Sequence, residues 1–158
     1  DQAYEFLEYA KSTGLKLIAS VYDEKAVEIC SNYVEALKIS SSNITNFFLI
    51  DKVIQTGKSI IIDTGKSDVL EIEDTINFIN SYGKTNHILL QHSPNRPPAL
   101  SIDWALSGLA LLKKKFNLPI GLSEHSNEFT QTVCAISSGV INIEKGMKEF
   151  FSWFDKYY

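Results

Sequence analysis

The sequence predicts an α/β protein of the (β/α) barrel type, with about six parallel strand–helix units in view. Three observations lead there. Short β-rich runs alternate with longer amphipathic runs, and the strands start roughly 20 to 30 residues apart, the spacing of parallel units joined by helical crossovers. The run Ser59 to Asp63 (SIIID) is apolar through its middle, as in a strand buried on both faces. No Gly-rich nucleotide fingerprint follows any strand, which favours an arc of a barrel over an open doubly wound sheet.

The elements follow in order. Asp1 to Ser12 has Tyr4, Phe6, Leu7 and Ala10 at helical spacing, and Gly14 ends it. Lys16 to Val21 reads as strand. Asp23 caps a helix with Ala26, Val27, Ile29 and Cys30 on its apolar face. Ala36 to Ile39 is a short strand, and Asn46 to Gln55 a helix that stops before Gly57. After the strand at Ser59, Ser67 is expected to cap a helix through Ile72, Ile76 and Ile79, ending near Gly83. Ile88 to His92 is strand, followed by a Pro-rich loop. Ser101 to Phe116 is helix, Pro119 to Ser123 strand, Glu128 to Ser138 helix and Val140 to Glu144 strand. Met147 to Tyr158 is a last helix, whose six aromatic residues suit a core face or an interface. With the first barrel strands absent, six strands leave two edges.

With 158 residues, one domain spanning 1–158 is expected, and a 44% apolar, 22% charged composition is that of a globular protein. A net charge of −4 argues against a nucleic-acid partner, which needs a basic face. The run Lys113-Lys114-Lys115 lies at a helix C-terminus, where the macrodipole favours cations. Cys30 and Cys134 lack metal or redox spacing and are read as buried free thiols, which suits a reducing cytoplasm. No apolar stretch is long enough to span a membrane.

In either parallel architecture, ligands bind at the carboxyl ends of the strands. The polar residues there include Ser20; Lys38 and Ser41; Asp63 and Thr64; Gln91, His92, Ser93 and Arg96; Ser123, Glu124 and His125; and Glu144 and Lys145. Lys38, inside an apolar strand, needs an anionic partner, either a bound phosphate or carboxylate or an internal ion pair. His125 and His92 suit metal ligation or acid–base work, or plain loop hydrogen bonding. Glu144 could orient a sugar hydroxyl, ligate a metal, or pair with Lys38 or Lys145.

The ordered strand-end phrases resemble those of the sialic acid synthase family. ALKISSSNITNFFLIDKVIQTGKSIIIDTGKS is similar to its lysine-bearing strand followed by a T-G-K strand phrase. LPIGLSEHS resembles its G-x-S-D-H-T segment, and VINIEKG its I-E-(K/R)-H segment. The resemblance runs from about Lys16 to Lys145. It implies a TIM barrel that condenses phosphoenolpyruvate with an N-acetylmannosamine-type sugar, aided by Mn²⁺ or Mg²⁺, to give a nine-carbon sialic acid. It implies that Lys38, Ser41 and Ser123 hold the phosphoenolpyruvate phosphate and carboxylate. His125 would be a metal ligand and Glu144 an active-site glutamate beside the sugar, both catalytic. Ser20 falls where the family has Thr, and Asp63 and Thr64 fall in its S-T-G phrase.

Departures are equally specific. Asp63 replaces a serine beside the phosphate site, where a carboxylate repels the ligand unless paired or protonated. Gly146 stands at the second metal-binding histidine, for which His92 is the candidate substitute. Pro94 and Arg96 replace an asparagine and a tyrosine of the sugar pocket. The family's C-terminal antifreeze-like domain, which contributes across a dimer, is not in these residues. The expected partners are therefore phosphoenolpyruvate and an amino sugar, in a cytoplasmic protein that is monomeric or a homo-oligomer. Two other functions remain open: a catalytically degenerate barrel fragment that binds a sugar, an anion or a protein, and an aldolase-like enzyme using Lys38 covalently.

Overall fold

The structure, a computed structural model, describes residues 2–83, 87–94, 100–101, 104–126 and 129–147. The chain divides into two compact units, 1–62 with 67–88, and 63–66 with 89–158.

The first unit runs α1 (Gln2–Ser12), β1 (Ile18–Val21), α2 (Glu24–Cys30), β2 (Ala36–Ile39), α3 (Phe47–Gln55), β3 (Ser59–Asp63, whose last residue falls in the second unit) and α4 (Val69–Ser81). β1 pairs with β2 and β2 with β3, all parallel. The register aligns Ser20 with Lys38 and Lys38 with Ile61, so these three share one face. The other face carries Val21, Leu37, Ile39 and Ile62, none of which exposes any surface. Burying each such side chain contributes about 1.5–3 kcal/mol, so this face fixes the register.

Local chemistry places the helix ends. Asp23 accepts the Ala26 N–H at 2.7 Å, as expected. Asn46 accepts from Leu49 at 3.2 Å. α3 stops at Gly57, whose φ of 70° is costly for other residues. α4 corrects the expectation: its cap is Asp68, not Ser67. Asp68 accepts from Leu70 and Glu71 at 2.8 and 2.9 Å, and Glu71 returns a carboxylate to the Asp68 N–H at 3.0 Å. Thr75, fully buried on α4, donates to the Ile44 carbonyl at 2.7 Å and ties the helix to the loop after β2.

The second unit runs β4 (Ile88–His92, whose first residue falls in the first unit), α5 (Ser107–Phe116), β5 (Ile120–Glu124), α6 (Thr130–Ser137) and β6 (Asn142–Lys145). β4 pairs with β5 and β5 with β6, again parallel. Thr64 continues the ladder through its N–H to the Gln91 carbonyl at 2.9 Å. α5 begins at Ser107 rather than Ser101, because Ala105 has a φ of 43° and breaks the helical path. It ends at Asn117, which takes the left-handed conformation. β6 begins at Asn142 rather than Val140; the Val140 N–H is held by the Ala135 carbonyl in the turn after α6. The expected aromatic helix lies outside the described residues beyond Met147.

Both cysteines are free, but the expected burial is corrected: Cys30 is half-buried and Cys134 exposed. Among the described residues, no helix is long and apolar enough to cross a membrane.

Asp68→Ala is expected to lower stability by about 1 kcal/mol, read as a lower urea midpoint with unchanged m-value. Ser67→Ala should leave the midpoint where it is or raise it, since the buried Ser67 hydroxyl has no partner. The reverse order would return the cap to Ser67.

Candidate active site

Strand ends position the candidate residues in each unit. In the first, Lys38 is buried in the middle of β2, on the face shared with Ser20 at the end of β1. Ser20 is exposed and Ser41 half-buried. Ser41 opens a short 3₁₀ turn, 41–43, directly after β2. Ser40 stabilises that turn, lying 3.0 Å from the Ser42 hydroxyl and accepting from the Asn43 amide at 3.1 Å.

In the second unit, Asp63 and Thr64 are both buried. Asp63 Oδ1 accepts the Gly65 N–H at 3.0 Å and closes a tight turn. A Cβ at Gly65 would lie 3.1 Å from the Ser93 Cβ and carbonyl oxygen, so the T-G phrase needs its glycine for close approach to β4. Thr64 Oγ1 donates to the Gln91 carbonyl at 3.3 Å. Asp63 and Thr64 therefore hold this turn to β4.

The densest polar constellation lies on β5 and β6. Ser123 is fully buried and aligned in register with Glu144. Ser123 Oγ donates to Glu144 Oε1 at 3.0 Å and lies 3.2 Å from His125 Nε2. A hydroxyl carries one proton, and an ionised carboxylate only accepts. With Ser123 donating to Glu144, its oxygen accepts from His125, which assigns the Nε2–H tautomer and leaves Nδ1 as the lone-pair nitrogen. His125, Ser123 and Glu144 thus form a continuous hydrogen-bonded chain. Two residues below on the same face, Gln91 donates to Asn142 at 3.1 Å across Gly121. A Cβ at Gly121 would crowd Asn142 at 3.1 Å.

Alternate residues point the other way, toward the helices. Glu124, 1% exposed, accepts from Ser126 Oγ at 2.6 Å and from Thr132 of α6, and pairs with Lys145 at 3.0 Å. Lys145 thus pairs with Glu124. Burial raises the Glu124 carboxyl pKa, but the hydrogen bonds from Ser126, Thr132 and Lys145, with the Lys145 charge, outweigh it and hold it below the usual range.

His92 also faces the helices. Its Nε2 lies 3.0 Å from the Trp104 carbonyl, and its ring lies against Gly108 of α5, 2.9 Å from where a Cβ would stand. The structure therefore does not bring His92 to His125. Gly146 is exposed and supplies no ligand. Among the described residues, no group of three or more His, Cys, Asp or Glu side chains converges. Among the described residues, this face offers one imidazole, His125, and one carboxylate, Glu144, toward the expected divalent metal. Arg96 lies outside the described residues.

Glu124, Thr132 and the Gln91–Asn142 pair were not singled out from sequence as an interacting set. The signal for the first was the alternation of Ser-Glu-His with Glu-Lys on two adjacent strands. Thr132, on a helix, gave none.

The sequence profile of the NeuB family matches residues 1–149. The chain belongs to the NeuB family. It is 35% identical over 146 residues to an uncharacterized protein of Methanocaldococcus jannaschii, covering 92% of this chain and 43% of that protein. It is 29% identical over 143 residues to the N,N'-diacetyllegionaminic acid synthase of Campylobacter jejuni, covering 89% and 43%. The N-acetylneuraminic acid synthetase of Leptospira borgpetersenii, solved with citrate, superposes with a TM-score of 0.82 at 30% identity, over 90% of this chain and 51% of that one. The chain spans about half the length of the relatives it matches. The fold class is accordingly α/β of the (β/α) barrel type, as the sequence predicts.

The depressed Glu124 carboxyl sets a pH dependence for this NeuB-family chain. Its stabilising contribution is present above the ordinary carboxyl value of 4.5 and is lost as pH falls through its lower folded value. Glu124→Gln should flatten the melting temperature between pH 5 and about pH 3. An equally steep acid loss in this variant would move the effect to other carboxylates.

Proposed function

We propose that this chain is the catalytic-barrel part of a nonulosonic acid synthase, which joins phosphoenolpyruvate to an N-acetylmannosamine-type amino sugar. The observation that carries the reading is the His125–Ser123–Glu144 chain at the carboxyl ends of β5 and β6. Family membership and the synthases among its relatives support it.

In the proposed reaction, C3 of phosphoenolpyruvate bonds to the sugar aldehyde carbon, and the aldehyde oxygen takes a proton. Water adds at C2 of the former enol, and inorganic phosphate leaves. The products are a 2-keto acid longer by three carbons and phosphate, so atoms and charge balance. His125 Nδ1 is the nitrogen able to take the proton from the attacking water. The charge stays on the imidazolium, and the Glu144 carboxylate stabilises it through the polarised Ser123 hydroxyl. Lys38 and Ser41, from the first unit, are assigned to phosphate and carboxylate binding by family resemblance. A lysine there supplies the cation that such an anion needs.

The test is turnover by the complete protein with phosphoenolpyruvate and N-acetylmannosamine, followed as phosphate release and as a nine-carbon keto acid by mass spectrometry. His125→Ala and Glu144→Gln should each lower the rate by about 100-fold or more while the protein stays folded. Phosphoenolpyruvate left unconsumed across a panel of N-acylated amino sugars would favour the non-catalytic binding fragment. A borohydride-trapped adduct on Lys38 would favour the covalent aldolase.

A further inference from the structure

We infer that Glu124 and Lys145 are positioning residues for the His125–Ser123–Glu144 chain, acting from the opposite face of the same two strands. The register makes this specific. Ser123 stands beside Glu144, and Glu124 beside Lys145. In a strand, neighbours alternate between faces, so each functional residue has a member of the ion pair as its chain neighbour. His125 itself sits between Glu124 and Ser126 in sequence.

The pair's contacts with Ser126, Phe129 and Thr132 fall on the segments that follow His125. Lys145 Nζ reaches Glu124 Oε1 at 3.0 Å and donates to the Ser126 carbonyl at 3.1 Å. Its ammonium also lies 5.1 Å from the centre of the Phe129 ring. Ser126 Oγ closes on Glu124 Oε1 at 2.6 Å, and Thr132 of α6 donates to Glu124 Oε2. The residues on both sides of His125 are therefore held by one cluster, which also holds the residue after Glu144. Half-buried His125 meets Ser123 through its ring, and its backbone is set by these flanks.

The cluster is costly unless it is complete. The Glu124 side chain has no exposure and that of Lys145 only 28%, so a carboxylate left without its cation is a buried, uncompensated charge. An apolar contact between β5 and β6 would supply burial without a defined direction. Hydrogen bonds to a carboxylate set both distance and angle, which is what a 3.0 to 3.2 Å relay on the other face requires.

The inference takes from the proposed function only that His125, Ser123 and Glu144 form the site. Its test reads their geometry without turnover, so it stands or falls separately from the synthase assignment. The measurement is the ¹⁵N spectrum of the histidine rings in the labelled full chain, at a pH where His125 is neutral. In the wild type, His125 is expected in one dominant Nε2–H tautomer. Lys145→Arg should keep that signature, since the guanidinium can reach the same acceptors. The double variant Glu124→Gln with Lys145→Met removes the pair without stranding a charge. In it, the His125 signals should shift to a tautomer mixture, while His92, bonded to Trp104, stays unchanged as an internal reference. A folded double variant with an unaltered His125 spectrum would overturn the inference. A double variant that fails to fold would also overturn it, by making the pair a determinant of the fold rather than of the site.

Discussion

Side-chain alternation along short parallel strands is the constraint on which the rest of this protein depends. Each strand is only four or five residues long, so one step in sequence exchanges a core residue for a site residue. In β2, Leu37 and Ile39 are fully buried on one face while Lys38 lies on the other with Ser20 and Ile61. In β5, Leu122 and Glu124 face the helices while Ser123 faces Glu144. The apolar face supplies the energy that holds the register, and the register decides which polar groups meet. A slip of one residue would bury the site and expose the core.

This constraint also explains where polar chemistry can be afforded. Glu124 is buried on the helix side, yet three donors, one of them the Lys145 cation, hold it ionised. The serine–glutamate pair on the other face lies at the open ends of the strands, where loops deliver His125. Two carboxylates, one step apart across β5 and β6, thus take different roles. One is locked into structure by its environment. The other accepts the Ser123 hydroxyl on the opposite face.

Much of this was legible in the sequence. The strand–helix alternation, the cap at Asp23, and the candidates Ser123, His125 and Glu144 follow from periodicity, turn chemistry and strand-end position. What was not legible depends on direction or on long-range contact. Ser67 and Asp68 are both good caps, and only the reciprocal bond with Glu71 selects Asp68. The pairing of Glu124 with Lys145 joins adjacent strands in register across 21 residues of sequence. His92 ends a strand as a site residue should, but its position in the alternation turns it toward Gly108 of α5. Asp63, which looked hostile to phosphate, directs one oxygen to the Gly65 N–H.

The central proposal is that the carboxyl ends of β5 and β6 bind a small phosphorylated carboxylate. The most direct measurement is a calorimetric titration of phosphoenolpyruvate into the folded protein, repeated with Ser123→Ala and His125→Ala. Saturable binding to the wild type, lost in both variants without loss of fold, is the predicted result. No binding to the wild type, or binding that neither substitution weakens, would contradict the account.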